Sequence, residues 1–188
     1  KMGIIGYGNM GSWHAQQVTE RIHGLEVVGI YDIDPARCAL AAEKGLISFP
    51  SAQALLTSGI DLVVIATPNN FHKDYAIRSM RAGKHVLCEK PICINAKEAR
   101  AITECAKENN VFLMEALWTR FLPAIHEAQR IVKSGEIGEV RAVKAEFCFS
   151  CPPAPNSRLY TPELGGGALL DVGVYGLNFV AMFLGTDP

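Results

Sequence analysis

The apolar run Met2 to Ile5 leads straight into Gly6-Tyr7-Gly8-Asn9-Met10-Gly11, and a helical pattern follows to about Glu20. Glycines at the first, third and sixth positions of a turn between a strand and a helix leave few folds open. Gly6 permits the tight turn, Gly8 lets the backbone approach a pyrophosphate, and Gly11 lets the helix pack closely on the strand. The N–H groups and positive dipole at the helix start, at Asn9, Met10 and Gly11, suit phosphates. Asp32 ends the second strand candidate, about 20 residues past Gly11, where a ribose-binding carboxylate belongs. It would accept hydrogen bonds from the ribose hydroxyls of NAD and repel the 2′-phosphate of NADP. Arg37, a turn into the next helix, is the nearby cation. The expectation is a dinucleotide site, with Asp32 favouring NAD over NADP.

The chain to about residue 115 repeats strand and helix. Leu25 to Tyr31, Asp61 to Ala66, His85 to Cys88 and Val111 to Met114 read as strands. Asp34-Pro35 starts a helix that Gly45 ends, and Ser51 caps a short one that stops at Gly59. Thr67-Pro68-Asn69-Asn70 is a turn before a helix to about Ala82. Asn95, with Glu98 three residues on, forms a capping box. This order predicts an α/β fold, a doubly wound parallel (Rossmann) sheet with right-handed crossovers. Ligands of such sheets sit at the C-terminal strand ends, so Thr67, Pro68, Asn69 and His72 are predicted contacts.

The pattern changes after Trp118. A helix from Pro123 to Lys133, a long alternating strand from Glu139 to Phe149, and a Pro-rich loop from Cys151 to Glu163 follow. Gly165-Gly166-Gly167 then opens an apolar helix from Ala168 to Leu184. One strand needs partners, so residues 120–188 read as the beginning of a second α+β domain with an open sheet, after a dinucleotide-binding domain over 1–119. The apolar helix contains Asp171, Tyr175 and Asn178. A membrane span needs about 20 residues with almost no polar groups, so a buried core helix is predicted.

The 188 residues carry 18 basic and 19 acidic side chains, a net charge of -1. With no basic block, neither nucleic acid nor a membrane is expected as partner; a small molecule is. Lys1 is not an initiator Met and no secretory leader precedes the first strand, which reads as cytoplasmic. The cysteines are then reduced thiols. Cys148-x-x-Cys151 has no second pair to complete a zinc site, so packing thiols and no metal are expected.

The fingerprint, Thr67-Pro68-Asn69 with His72, Glu89-Lys90-Pro91, and Asp171-x-x-x-Tyr175 occur together in this order. The set resembles the Gfo/Idh/MocA family (glucose–fructose oxidoreductase and inositol dehydrogenase relatives). Glu115 to Phe121 and Gly165 to Tyr175 look most like the dimeric dihydrodiol dehydrogenase and D-xylose dehydrogenase group. Members of that group are NADP-linked and often carry a basic residue where this chain has Tyr31, which leaves NAD and NADP both open.

The resemblance implies a catalytic set of Lys90, Asp171 and Tyr175, with Glu89 and Lys90 also beside the cofactor. It implies hydride transfer between a nicotinamide and a sugar, polyol or trans-diol hydroxyl, and a homo-oligomer as the intact chain. The chemistry is consistent. Oxidising an alcohol needs a base for its proton, and a free Tyr at pKa about 10 needs help from a neighbouring ammonium. Asp171 and Tyr175, four apart, would share a helix face. Trp118 and Arg120 could line the substrate cleft. The rivals are a non-catalytic dinucleotide sensor and an imine or enone reductase on the same scaffold.

Overall fold

The computed structural model describes residues 1–150, 152, 154 and 157–186. The chain divides into two compact units, Lys1–Ala116 and Leu117–Pro188. In the first, strands β1 (Met2–Ile5), β2 (Val27–Tyr31), β3 (Ile47–Ser48), β4 (Leu62–Ile65), β5 (His85–Glu89) and β6 (Leu113–Ala116) form one sheet of order β3-β2-β1-β4-β5-β6. Every pairing is parallel. Helices α1 (Asn9–Arg21), α2 (Pro35–Glu43), α3 (Ala52–Leu56), α4 (His72–Arg81) and α5 (Ala96–Glu108) make the crossovers.

The side-chain alternation along the strands explains the two covered faces. Ile4 and Val64 point into one core with Ala15 and Val18 of α1 and Ala41 of α2. Ile5, Val63 and Ile65 point into the other, with Leu55 and Leu56 of α3, Met80 of α4 and Ile102 of α5. Most of these side chains are sealed from water, and each buried Ile, Leu or Val stabilises the fold by roughly 1.5–3 kcal/mol. The expected caps form. Asp34, Ser51 and Asn95 accept from the backbone N–H of Ala36, Ala54 and Glu98.

The register aligns Ile5 with both Tyr31 and Ile65, and Ile65 with Cys88. The turns that leave these residues therefore lie along one edge of the sheet. The strand order reverses between β1 and β4, because the chain runs outward through β2 and β3 and returns on the other side of β1. A crevice at such a reversal is where open α/β sheets bind ligands.

The second unit holds α6 (Pro123–Ser134), short 3-10 turns, and α7 (Val174–Leu184) preceded by a π-helical segment, Leu169–Gly173. Four expectations are corrected. β3 is an additional strand, two residues long and too short to show a period. Glu139 to Phe149 forms no strand, because the described residues of this unit supply no other strand to pair with it. The helix over 168–184 is not buried. It is partly or fully exposed along its length, since α6 and the loops are too little to enclose it. By length and composition Pro162–Leu184 is apolar enough to cross a membrane. Cys148 is exposed rather than packed, and Cys151 lies outside the described residues.

Candidate functional site

Gly6 and Gly11 have steric reasons to be glycine. Gly6 sits at φ 91°, and a Cβ there would stand 2.8 Å from the backbone of Ala66 and Thr67. A Cβ on Gly11 would run into the Gly6 carbonyl oxygen. Gly8 differs. Its φ is -76°, which any residue adopts, and a Cβ there would meet no protein atom within 4 Å. Nothing inside the protein demands glycine at position 8, so the open space serves something outside it. No side chain caps α1 and no acidic residue lies in its first turn. The helix N-terminus therefore presents its backbone N–H groups and dipole to a ligand.

Asp32 is held in place beside this turn. Its Oδ2 accepts from the Tyr7 N–H at 2.6 Å and its Oδ1 from the Asp34 N–H at 2.9 Å. A carboxylate has about four acceptor sites, so two bonds leave capacity for ribose hydroxyls. Arg37 is exposed in the first turn of α2. Across the reversal, the Thr67 hydroxyl is buried with no hydrogen-bond partner, as is the Asn70 side-chain oxygen. Orphaned polar atoms, an open glycine and an uncapped helix end on one sheet edge fit a dinucleotide. Pro68 starts the short turn Asn69–Phe71, in which Asn69 is buried.

Two predicted contacts have other duties. His72 is fully buried, and both ring nitrogens face backbone carbonyls, those of Thr67 and Pro91, at 2.8 Å. It lies beneath the turn rather than on its surface. Glu89 is also buried. Its Oε1 pairs with Nε2 of His14 on α1 at 2.7 Å, and its Oε2 accepts from the Lys90 N–H at 3.3 Å. The tripeptide's carboxylate thus braces the turn after β5 against α1, a role that only the strand order reveals. Lys90 follows β5 directly, half-buried, and the Lys90–Pro91 bond is cis. Burial pushes the neighbouring Cys88 thiol well above its usual range, and the Glu89 and Glu115 carboxylates push it further.

In the second unit each residue named from the sequence has a defined partner. The Trp118 indole N–H donates to the Tyr175 hydroxyl at 3.2 Å, with the rings edge to face. Phe147 packs on Tyr175 at a centroid distance of 4.8 Å; the sequence offered no signal for it, because its position depends on an irregular segment. Arg120 Nη1 donates to the side-chain oxygen of Asn178, further along α7. Asp171 lies in the π segment and forms an ion pair with Arg158 at 3.7 Å. The wider turn of that segment means that Asp171 and Tyr175 are not related by a regular α-helical repeat.

The parallel sheet, the switch point and the glycine turn define a dinucleotide-binding domain of the Rossmann class. Residues 1–117 match the oxidoreductase family GFO_IDH_MocA with an NAD-binding Rossmann fold, and residues 125–188 match the GFO/IDH/MocA C-terminal domain. The chain belongs to the Gfo/Idh/MocA family of oxidoreductases. It is 42% identical over 130 residues to a trans-1,2-dihydrobenzene-1,2-diol dehydrogenase of Danio rerio, which covers 69% of this chain and 38% of that one. It is 36% identical over 188 residues to D-xylose 1-dehydrogenase (NADP(+)) 2 of Haloferax volcanii, covering 98% of this chain and 56% of that one. The crystal structure of an NAD-binding protein from Listeria innocua superposes with a TM-score of 0.79 at 31% identity, over 97% of this chain and 54% of the other. The chain thus spans less than two thirds of each of these relatives.

Proposed function

We propose that the protein carrying this chain is a dehydrogenase that moves a hydride between a nicotinamide dinucleotide and a CH–OH group of a sugar, polyol or trans-diol. The observation that carries this reading is the Tyr175 hydroxyl, oriented by the Trp118 indole N–H on a unit that matches the family's C-terminal domain. A protein that only sensed the dinucleotide would need no such group. The named activities of the diol and xylose dehydrogenase relatives support the substrate class.

The α1 N-terminus, Gly8 and Asp32 would hold the pyrophosphate and ribose of the dinucleotide. When bound, the nicotinamide supplies the hydride acceptor. Tyr175 would take the hydroxyl proton of the substrate. The resemblance to the family assigns Lys90, at the turn after β5, as a hydrogen-bond donor to the substrate, and Asp171, ahead of α7, as an orienting carboxylate. In the full-length protein, Tyr175→Phe and Lys90→Ala should each lower turnover by roughly 10²–10⁴-fold while dinucleotide affinity stays near wild type. Near-normal turnover in either variant would remove that residue from the reaction. Dinucleotide binding without turnover on aldoses, inositols and trans-diols would favour the sensor.

NAD is the proposed dinucleotide. Asp32 is fixed by two backbone N–H groups and cannot swing away from a 2′-phosphate without losing both. The NADP-linked name of the xylose dehydrogenase relative is the argument on the other side. Titration should show tighter binding of NAD⁺ than NADP⁺, with Asp32→Ser narrowing the gap by about tenfold, as expected when one charge repulsion is removed. Tighter binding of NADP⁺ by the unmodified protein would reverse the assignment.

A further inference from the structure

The surroundings of His72 ask for more than a packed side chain. The ring is fully buried, with Nδ1 at 2.8 Å from the Pro91 carbonyl oxygen and Nε2 at 2.8 Å from the Thr67 carbonyl oxygen. Carbonyl oxygens only accept. A neutral imidazole has one N–H, so either tautomer would aim a ring lone pair at a carbonyl lone pair in a site without bulk water. The imidazolium alone donates to both.

Two carboxylates flank the turn that presents Pro91. Glu89, buried, precedes the turn that presents Pro91. Glu115 Oε1 accepts from the Ile92 N–H at 2.8 Å, just beyond it. On α4 itself, Lys73 is turned to Asp74 and Glu98 at 3.4 and 3.7 Å, so its charge is met by two carboxylates. His14 is engaged with Glu89.

We propose that His72 is held as an imidazolium and is a positioning residue for Lys90, tying the turn after β4 to the turn after β5 through two charge-assisted hydrogen bonds. Thr67 and Pro91 lie at the C-terminal ends of adjacent strands, and the ring spans them from below. Lys90 is thereby located relative to the turn expected beside the nicotinamide. The positioning role rests on the assignment of Lys90 to the reaction; the protonation of the ring does not.

Two experiments on the full-length protein test the two halves separately. In ¹⁵N-labelled protein at neutral pH, both ring nitrogens of His72 should resonate in the protonated range. A signal from an unprotonated ring nitrogen overturns the clamp, whether or not a substrate has been found. His72→Leu keeps bulk and removes both donors. Where circular dichroism shows it folded at the assay temperature, kcat should fall roughly 100-fold, with KM and dinucleotide Kd near wild type. His72→Gln, with one donor group restored, should recover part of that loss, and it carries the comparison if the leucine variant does not fold. Wild-type kcat in a folded His72→Leu or His72→Gln protein overturns the positioning role.

Discussion

Gly8 and Gly11 belong to one motif but answer to different constraints, and substitution should separate them. Gly8→Ala adds a methyl group to open space at an ordinary backbone conformation. Its stability should stay within about 1 kcal/mol of wild type, the size of the usual surface change, while dinucleotide affinity drops at least about tenfold. Gly11→Ala drives its Cβ into the Gly6 carbonyl oxygen and should lower the melting temperature itself. Thermal melts with and without dinucleotide distinguish the two. Tyr7, between Gly6 and Gly8, is fully buried with a hydroxyl that has no partner. Tyr7→Phe removes an unsatisfied group, so it should be neutral or stabilise by up to about 1 kcal/mol in urea titration. Burial raises the Tyr7 pKa above its ordinary 10.0. The associated stability is present below pH 10 and lost as pH rises through the folded value, so Tyr7→Phe should blunt alkaline unfolding above about pH 10. Among the candidate site residues, the placement of the glycines and Asp32 around one turn was legible because it depends on spacing along one strand–turn–helix. The duties of His72 and Glu89 were not, since they join turns that only the folded sheet brings together.

At the scale of elements, what could be read was what is locally decided. Asn95, Ser51 and Asp34 each form the cap that their positions imply, because a cap needs only the next three residues. Asn95→Ala should cost about 1 kcal/mol in chemical denaturation, with no change in dinucleotide affinity. The apolar β4 run was legible as a strand covered on both faces, and it is. Non-local decisions were illegible. The alternation over Glu139 to Phe149 carries the period of a strand, but hydrogen-bond partners decide whether one forms. The apolar stretch before Leu184 was read correctly as helical, but the neighbours that would bury it are not among the described residues. Its polar side chains are nonetheless engaged, Tyr175 with Trp118 and Asn178 with Arg120. The Arg158–Asp171 pair, with Arg158 nearly half exposed, contributes at most about 1 kcal/mol, so it orients Asp171 more than it stabilises the segment.

For the whole molecule, the first unit contains a complete sheet with both faces covered, and its core clusters draw only on its own residues. Residues 1–116 expressed alone should fold and bind the dinucleotide. At a free concentration about 100 times Kd, binding should add about 2.7 kcal/mol to stability, seen as a raised melting temperature. Failure of this piece to fold would show that the second unit contributes to its stability. The central place of β1 has a consequence during synthesis. β1 pairs with β2 on one side and β4 on the other, and the register partners Met2 and Leu62 are 60 residues apart. At about 5–20 residues per second, β1 waits several seconds on the ribosome before the strand that completes it emerges. Throughout that interval Ile4 and Ile5 lack the β4 side of their packing, which leaves β1 open to a chaperone.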